Sequence, residues 1–318
     1  MLEALRQRFY VETVVPSDPI LETFKHHLLA NREEHILAII FYGSRLSQET
    51  LSASSVHDFY IITDNLVGFH HSCKHALINL ILPPNVYHGA FPFKNNEKSS
   101  LLQCKYCVIS RDQFLHETSA RSSDFHHLGR FSKRFGVLYS RDQDATDLLF
   151  QGSLNAMLTL LPFSCSLLPS RFSLEDLVLK QLEISYLGEE RLVEPDKIFR
   201  LFEAAKDFYL NFYPNLITLY RESHPELIID EDDQGFVRGP ITSSLHQKTD
   251  RLLKRSRRRS ILRWPKYIFT VDNWVEYLLD KVERHQGIRI ELTPLQKRYP
   301  LIFAWPIFFK FKKRGLVK

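Results

Sequence analysis

The sequence has no long apolar run, no internal repeat, no low-complexity tract and few cysteines. None of its apolar runs approaches the ~20 residues that a membrane-spanning helix requires, so a membrane-spanning chain is not expected. The N-terminus lacks the apolar core of a signal peptide, and the early acids Glu3, Glu12 and Asp18 argue against a mitochondrial presequence. With 44% hydrophobic and 25% charged residues, the composition is typical of a globular protein. Its 318 residues favour two domains of roughly 150 residues each.

Two of the four cysteines, Cys104 and Cys107, form a C-x-x-C pair that could indicate a zinc or redox site. Both lie in a predicted strand, where residues three apart point to opposite faces. No second C-x-x-C or histidine pair completes a tetrahedral zinc site. We therefore predict reduced, buried thiols of the kind found in cytosolic proteins.

The stretch on which the functional interpretation depends is residues 36–65. An apolar run over residues 36–42 predicts a buried strand, which Gly43-Ser44 ends. A second apolar run begins at Asp58. Nucleotidyltransferases of the polymerase-beta type use this layout. The glycine lets the backbone approach a phosphate, the serine hydrogen-bonds it, and the acid on the next strand holds Mg²⁺.

Two simpler interpretations stay open for the same residues. Gly43-Ser44 also suits an ordinary turn, and Asp58 also suits a residue at a strand start that pairs with a nearby cation. Many of these enzymes carry a second acid two residues further on, where this chain has Tyr60. A second metal-binding carboxylate would have to come from elsewhere, and Asp112, Asp124 and Glu189 are the candidates, with no ranking among them.

Two cationic positions suggest phosphate binding. Lys105 lies among apolar neighbours in a predicted strand, where an unpaired ammonium is costly to bury, so it either reaches solvent or meets an anion. Gly129-Arg130 opens a short basic segment before a predicted strand at residues 137–139. Such a segment suits phosphate binding, and a solvated loop is the alternative.

The remaining patterns divide the chain into three regions, residues 1–146, 147–248 and 249–318. Helical periodicity continues after residue 146, and Ser173 is predicted to cap one of these helices, so the second region is expected to be mostly helical. The main predicted elements are helices at 18–29, 70–82, 111–128, 147–161, 173–188 and 272–286, a long helix ending near 213, and a strand at 101–110.

The excess of cations behind the net charge of +5 lies in the third region, because the cations concentrate after Asp250. An apolar and aromatic run at residues 299–309 is followed by lysines and an arginine. This pattern predicts contact with a membrane interface. A nucleic-acid-binding patch, or simple packing of the apolar run into the second domain, are the alternatives. The residues predicted to contact lipid are Arg257, Arg258, Arg259, Trp305, Phe308 and Phe309.

The order of these motifs resembles the mitochondrial-type (translocator-assembly-and-maintenance) phosphatidate cytidylyltransferases, peripheral CDP-diacylglycerol synthases that also have bacterial members. The resemblance covers roughly residues 36–215 and is weaker beyond them. The motifs that carry it are Phe41-Tyr42-Gly43-Ser44, Asp58-Phe59, Val86-Tyr87, Lys105-Tyr106-Cys107-Val108-Ile109-Ser110, Gly129-Arg130 and Ser185-Tyr186-Leu187-Gly188-Glu189-Glu190-Arg191.

The resemblance implies an α/β (α+β) nucleotidyltransferase fold of the polymerase-beta type with a mostly helical, winged-helix-like second domain. It implies Asp58 as the metal-binding acid and Lys105 as a catalytic cation. Tyr60 then matches the large apolar residue that the family has two positions after the acid. Glu189 stands where aspartate is expected. The residues implied to bind nucleotide are Gly43, Ser44, Arg130, Ser185, Tyr186, Glu189 and Arg191.

The activity implied is the Mg²⁺-dependent reaction of CTP with phosphatidate to give CDP-diacylglycerol and diphosphate. The partners expected are CTP, phosphatidate and a membrane surface, with no nucleic acid. The expected location is peripheral, on the cytoplasmic face of the inner membrane, or on the matrix side in a eukaryote. The alternatives are a nucleotidyltransferase with a soluble or nucleic-acid acceptor, and an inactive scaffold that docks on membranes.

Overall fold

A computed structural model describes residues 1–43, 46, 51–53, 55–95, 98–122, 124–188, 195–224, 229–232, 235–239, 241–263, 266, 293, 295 and 296. The first half begins with α1 (Leu2–Thr13), α2 (Pro19–Leu29), β1 (Ile36–Tyr42), β2 (Val56–Thr63), α3 (Leu66–His70) and α4 (Cys73–Ile81). It continues with β3 (Asn85–Asn95), β4 (Lys98–Ser110), α5 (Arg111–Glu117), α6 (Phe125–Phe131) and β5 (Gly136–Ser140). The second half contains α7 (Gln143–Ser166), β6 (Arg171–Phe172), α8 (Leu174–Leu187), α9 (Pro195–Glu203), α10 (Lys206–Ser223), β7 (Ile229–Asp232), β8 (Gly235–Arg238) and α11 (Ser243–Arg263).

A five-stranded mixed sheet in the order β3-β4-β2-β1-β5 organises the first half. All seven residues of β1 are buried, as the apolar run predicts. Strand β1 pairs antiparallel with β2, and β2 pairs parallel with β4 after a crossover through α3, α4 and β3. The turn after β1 and the start of β2 therefore lie at the same edge of the sheet.

The two faces of this sheet are covered by different parts of the core. One face carries Ile40, Tyr60 and Cys107, which join the large cluster formed with the helices of the second half. The other face carries Phe59 and Cys104, which pack with α2. Cys104 and Cys107 thus point to opposite faces and are free thiols, which confirms the prediction for this pair.

The second half is mostly helical with a small sheet in the order β6-β8-β7. Strands β7 and β8 form an antiparallel hairpin, and the early strand β6 pairs with β8 rather than with β7. Ser173 caps α8 through a capping box with Asp176, as predicted for this helix. The combination of an α/β sheet with a helical, winged-helix-like second half confirms the predicted fold class.

Helix α7 corrects one expectation. By length and composition this 24-residue helix qualifies as a candidate membrane span, although the sequence suggested none. In the structure, 72% of its most apolar window is buried, as in the central helix of a folded core. The apolar side chains of α7 pack in the large cluster beneath the sheet.

The predicted element boundaries are only partly right. Helix α2 and its cap Asp18 match the prediction. The helix predicted at 70–82 corresponds to α4, which begins three residues later because Ser72 caps it. The single helix predicted at 111–128 is two helices, α5 and α6, because Asp124 caps a new helix inside that segment. The long helix ending near residue 213 is likewise two helices, α9 and α10.

The two boundaries predicted between the three regions lie inside α7 and α11. The chain divides into two compact units, Met1–Arg263 and Trp264–Lys318. In the second unit, the hydroxyl oxygen of Thr293 accepts a hydrogen bond from the amide of Gln296. The predicted helix at residues 272–286 and the apolar run at residues 299–309 lie outside the described residues.

Helix α11 docks on the first half through buried charges. The fully buried Asp124 carboxylate accepts hydrogen bonds from Arg259 Nε at 2.7 Å and Arg263 Nη2 at 2.5 Å. Arg259 also lies 3.6 Å from the buried carboxylate of Glu117. Arg263 Nε donates to the carbonyl oxygen of Pro83. Two acids and two guanidinium groups thus balance one another inside the fold.

Replacing Asp124 with asparagine should destabilise the protein by about 3–5 kcal/mol, because two buried guanidinium groups would lose their main counterion. Urea denaturation of the full chain measures the change. Asp144→Asn, at an exposed position in the first turn of α7, is the matched control and should cost less than about 1 kcal/mol. Equal losses in the two variants would contradict a buried ion pair at Asp124.

The same carboxyl group should make the free energy of unfolding depend on pH. Burial alone would raise the pKa of Asp124, but Arg263, His126 and Arg259 outweigh it and lower the pKa below its usual value. The contribution of this carboxylate to stability is therefore complete above the usual carboxyl pKa of ~3.9. It is lost as the pH falls through the lowered pKa of the folded protein. The stability difference between the protein and Asp124→Asn should narrow below about pH 4. A difference that stays constant as the pH is lowered well below this value would contradict this assignment.

Candidate functional site

A row of four side chains crosses the sheet at one level. Tyr42 on β1 pairs with Asp58 on β2, Asp58 pairs with Lys105 on β4, and Lys105 pairs with His88 on β3. Directly paired residues of neighbouring strands point to the same face, so the four side chains project together. This face is the one that the helices of the second half cover. Asp58, Lys105 and His88 are each half-buried.

Gly43 follows Tyr42 at the end of β1 and lies beside Asp58. Its φ is +100°, a backbone conformation that side-chain-bearing residues rarely adopt. A Cβ at this position would lie 3.3 Å from Asp58 Oδ2, closer than nearly all real Cβ contacts. Both observations explain why glycine stands here. The backbone can turn sharply beside the carboxylate, as the predicted phosphate-binding turn requires.

Helix α6 brings a second cation to this face. Its N-cap is Asp124, whose carboxylate accepts a hydrogen bond from the His126 amide. At the other end of the helix, the Arg130 guanidinium carbon lies 4.5 Å from the centre of the Tyr42 ring. A cation over a tyrosine ring is held in position by the ring quadrupole. The structure therefore brings Arg130 to the row that contains Asp58 and Lys105.

The prediction that Gly129-Arg130 opens a basic segment after the end of a helix is corrected at the glycine. Gly129 lies inside α6 and is buried where this helix meets α8. A Cβ on Gly129 would lie 2.1 Å from the Cβ of Ser185, so the two helices can approach only because the position is glycine. Ser185 is buried at this contact, and its hydroxyl donates to the Leu182 carbonyl oxygen.

Tyr186, the next residue on α8, lies at a cluster of cations. The ammonium nitrogen of Lys133 lies 3.9 Å from the centre of the Tyr186 ring. The ammonium nitrogen of Lys197, on α9, lies 5.6 Å from the same ring. Lys133 follows the end of α6 and Tyr186 is half-buried. Of the two adjacent residues predicted to bind nucleotide, Ser185 packs inside and Tyr186 faces cations.

The electrostatics of the row favour a neutral histidine beside Lys105. Burial, with the nearby Lys105 ammonium, lowers the pKa of His88 to about 4, so this imidazole is neutral at neutral pH. Burial raises the pKa of the Cys107 thiol, although Lys105 and Arg130 act in the opposite direction. Burial likewise raises the pKa of Tyr42 well above its usual value. The charges of this face are therefore those of Asp58, Lys105 and Arg130.

Among the described residues, no ion pair engages the Asp58 carboxylate. A half-buried carboxylate beside a glycine turn is a suitable ligand for Mg²⁺, which prefers oxygen ligands and keeps several waters. The other acidic group with ligand spacing is Glu117, Asp124 and His127, whose ligand atoms lie within 4.8 Å of one another. Its carboxylates already face Arg259 and Arg263, so this group is a structural ion-pair cluster.

The structure also narrows the candidates for a second metal-binding carboxylate. Asp124 is engaged by two arginines and is excluded as a candidate. Asp112 is exposed in the first turn of α5. Glu189 lies outside the described residues. The predicted site residues that also lie outside them are Ser44, Arg191, Trp305, Phe308 and Phe309.

The three arginines predicted to contact lipid differ in their surroundings. Arg259 pairs with Asp124 inside the fold, and Arg257 Nε donates to the Leu187 carbonyl oxygen at the end of α8. Arg258 is exposed. The cluster of cations in the sequence is therefore not one uniform surface. Of the three, Arg258 is the residue whose side chain lies at the surface.

Three functional candidates were missed in the sequence. His88 belongs to the row through its pairing with Lys105, and the alternation of β3 would have identified its face if the pairing had been known. Lys133 lies in the basic segment that was noted, but its contact with Tyr186 depends on tertiary packing. Lys197 carries no local sequence signal.

Gly43→Ala should cost about 1–3 kcal/mol, because alanine is strained at this φ. It should also weaken divalent-cation binding, since the new methyl group crowds Asp58 Oδ2. Spectroscopic titration with Mn²⁺ measures the affinity. Gly235→Ala is the matched control, because Gly235 has a φ of +123° in the β7–β8 hairpin, remote from Asp58. Unchanged Mn²⁺ affinity in Gly43→Ala would argue against a metal at Asp58.

The comparisons with known proteins add similarity to solved structures alone. Neither a protein-family model nor a curated protein sequence matches this chain. Among solved structures, the chain is similar to a nucleotidyltransferase-like protein from Exiguobacterium sibiricum 255-15, with 10% sequence identity over 93% of this chain and 91% of that chain, and a TM-score of 0.23. At this identity and TM-score the similarity carries no argument about activity, so the functional conclusion depends on the residues of the site.

Proposed function

We propose that this protein is a Mg²⁺-dependent nucleotidyltransferase that transfers the cytidylyl group of CTP to phosphatidate, giving CDP-diacylglycerol and diphosphate. The observation that carries the nucleotidyltransferase part is the arrangement of Asp58, Lys105 and Arg130 on one face of the sheet, beside the turn at Gly43. The choice of CTP and phosphatidate rests on the resemblance of the sequence motifs. The identity of the two substrates therefore depends on the sequence motifs, whereas the transfer reaction itself depends on the site.

The chemistry requires little covalent work from the protein. The phosphate of phosphatidate is already an ionised nucleophile, and it attacks the α-phosphorus of CTP while diphosphate leaves from the opposite side. The protein must hold the two reactants in line and offset the negative charge that they bring together. The reaction does not need a general base. This agrees with a face that carries one acid, Asp58, and two cations, Lys105 and Arg130.

Each residue of the face has a role in this scheme. Asp58 would hold Mg²⁺, which when bound offsets phosphate charge. Gly43 leaves room for a phosphate beside the backbone of the turn. Lys105 and Arg130 would donate to the phosphate oxygens of the substrates. His88 is neutral at neutral pH, so it adds a hydrogen-bonding group next to Lys105 without adding charge.

A lipid substrate requires the protein to reach a membrane surface, because phosphatidate stays in the bilayer. The exposed Arg258 and the cationic and aromatic residues after residue 299 are the groups we propose for this contact. Each interfacial cation contributes about 1 kcal/mol against an anionic leaflet. We accordingly propose a peripheral location, on the cytoplasmic face of the inner membrane or the matrix side in a eukaryote.

Asp58→Asn should lower turnover at least about 100-fold, because the carboxylate charge that holds the metal is lost. The assay contains purified full-length protein, CTP, Mg²⁺ and phosphatidate vesicles, and it follows the release of diphosphate. Asp64→Asn, six residues further on, is the matched control: its pair with Arg141 is partly exposed, so the change should cost less than about 1 kcal/mol of stability and leave turnover intact.

Four outcomes would count against parts of the proposal. Full turnover in Asp58→Asn would remove the metal role. Turnover with another nucleotide or a soluble acceptor, but none with CTP and phosphatidate, would remove the lipid assignment and leave a nucleotidyltransferase of a different specificity. Salt-sensitive affinity for RNA or DNA without vesicle binding would favour a nucleic-acid acceptor. Vesicle binding without CTP binding would indicate a scaffold.

A further inference from the structure

The outer side of α4 carries an apolar stripe. A helix has 3.6 residues per turn, so positions three and four apart lie on the same side. On the inner side of α4, Ala76 and Asn79 are buried. Leu77, Leu80 and Ile81 lie on the outer side, and each is more than half exposed to solvent. A surface helix of a folded protein usually turns such residues towards the core, so this stripe needs a separate explanation.

The end of α11 lies next to the end of α4 and is also apolar on its exposed side. Arg263 Nε donates a hydrogen bond to the carbonyl oxygen of Pro83 at 3.0 Å, and Pro83 follows closely after α4 ends. Immediately before Arg263, Ile261 and Leu262 are each more than half exposed. Exposed apolar side chains of two helices are therefore present around one contact. Exposed apolar groups that gather in this way on a folded protein mark interaction sites.

The exposed side of α11 is cationic. Residues 251–263 contain seven arginines and lysines and no acid. Two of these cations bind Asp124 inside the fold. Others are exposed on the side of the helix that also carries Ile261 and Leu262, because spacings of three and four place residues on one side. These exposed cations are Arg251, Lys254 and Arg258. The outer side of α4 adds the exposed Lys74.

This combination fits the surface of an anionic bilayer better than it fits other partners. The apolar side chains can enter the boundary between headgroups and acyl chains while the cations bind lipid phosphates. A nucleic acid would use the cations but would leave the leucines and isoleucines in water. A second copy of this chain, bound through the same patch, would bring like charges together, and they would repel one another.

We infer that the outer side of α4 and the exposed side of α11 form a docking face for an anionic lipid bilayer. The inference rests on the proposed function for the identity of the anionic lipid, which is phosphatidate. It adds an apolar contact, made by Leu77, Leu80 and Ile81, to the cationic contact already proposed for Arg258.

The position of the docking face suits a substrate that stays in a bilayer. Strand β3 begins at Asn85, shortly after α4 ends, and His88 on this strand pairs with Lys105. The three residues from Asn85 to His88 span about 10 Å of strand. A bilayer held against α4 would therefore keep the phosphate of a lipid near the row that contains Lys105 and Asp58.

The test is co-sedimentation of the full-length protein with vesicles of phosphatidylcholine alone and of phosphatidylcholine mixed equally with phosphatidate. The unmodified protein should bind the mixed vesicles more tightly. The double variant Leu77→Gln/Leu80→Gln keeps good helix formers and removes two apolar side chains, so it should bind them at least about tenfold more weakly. Lys254→Gln/Arg258→Gln should weaken this binding about 25-fold, at about fivefold for each lost cation.

Leu2→Gln/Val11→Gln is the matched control, because both residues are exposed apolar side chains on a helix. Their helix, α1, packs on β5 at one edge of the sheet, whereas α4 leads into β3 at the opposite edge. This variant should bind vesicles like the unmodified protein. All three double variants change exposed side chains, so each should keep the urea midpoint of the unmodified protein. An unchanged midpoint excludes unfolding as the cause of lost binding.

Vesicle binding and turnover separate failure of this inference from failure of the proposed function. Weakened vesicle binding by Leu77→Gln/Leu80→Gln, with no turnover of CTP by the unmodified protein, would support the inference and reject the cytidylyl reaction. Normal turnover of this variant on a dispersed short-chain phosphatidate, with reduced turnover on vesicles, would support both.

Four results would overturn the inference even if CTP turnover is confirmed. The first is equal vesicle binding by Leu77→Gln/Leu80→Gln and the control variant. The second is no vesicle binding by the unmodified protein, and the third is equal binding to the two kinds of vesicle. The fourth is self-association that Leu77→Gln/Leu80→Gln abolishes, without vesicle binding, which would assign the docking face to a second copy of the chain.

Discussion

The structure depends on the buried carboxylate of Asp124. This one side chain caps α6 and accepts hydrogen bonds from two arginines of α11, which follow it by 135 and 139 residues. Burying so many charges is costly unless they are balanced and hydrogen-bonded. Once they are, α6 has a fixed position between the sheet and the helices of the second half. The closeness of Gly129 to Ser185 and the placing of Arg130 over Tyr42 both follow from that position.

The sheet contributes the other half of the site through its register. Because β2 and β4 are parallel and aligned, Asp58 and Lys105 stand side by side, and the antiparallel pairing of β3 adds His88. A shift of one residue would move every one of these side chains to the opposite face. The register is held by the fully buried residues that flank the row, such as Tyr60 and Phe59. The position of the polar groups is therefore set by apolar packing.

Local sequence patterns were sufficient to predict some features of the fold and of the site, and insufficient for the others. The apolar run of β1, the cap of α2 and the alternation that separates Cys104 from Cys107 depend on neighbours in the chain, and each was predicted correctly. The motif order also brought Asp58, Lys105 and Arg130 together as candidates before any pairing was known. Arg259 was interpreted as a surface cation because its acidic partner is far away in the sequence. Gly129 was interpreted as part of a loop, since a glycine that permits close helix packing looks locally the same as one that ends a helix.

Because α6 is short, it connects the buried ion pairs at Asp124 closely with Arg130 at its other end. The helix has seven residues, so it is about 10 Å long. The ion pairs of Asp124 with α11 are therefore separated from Arg130 by less than two turns. A displacement of α11 would reach Arg130 through a single rigid element. Binding of any partner to α11 and binding of the proposed nucleotide at the sheet are therefore expected to be energetically coupled, and such coupling acts equally in both directions.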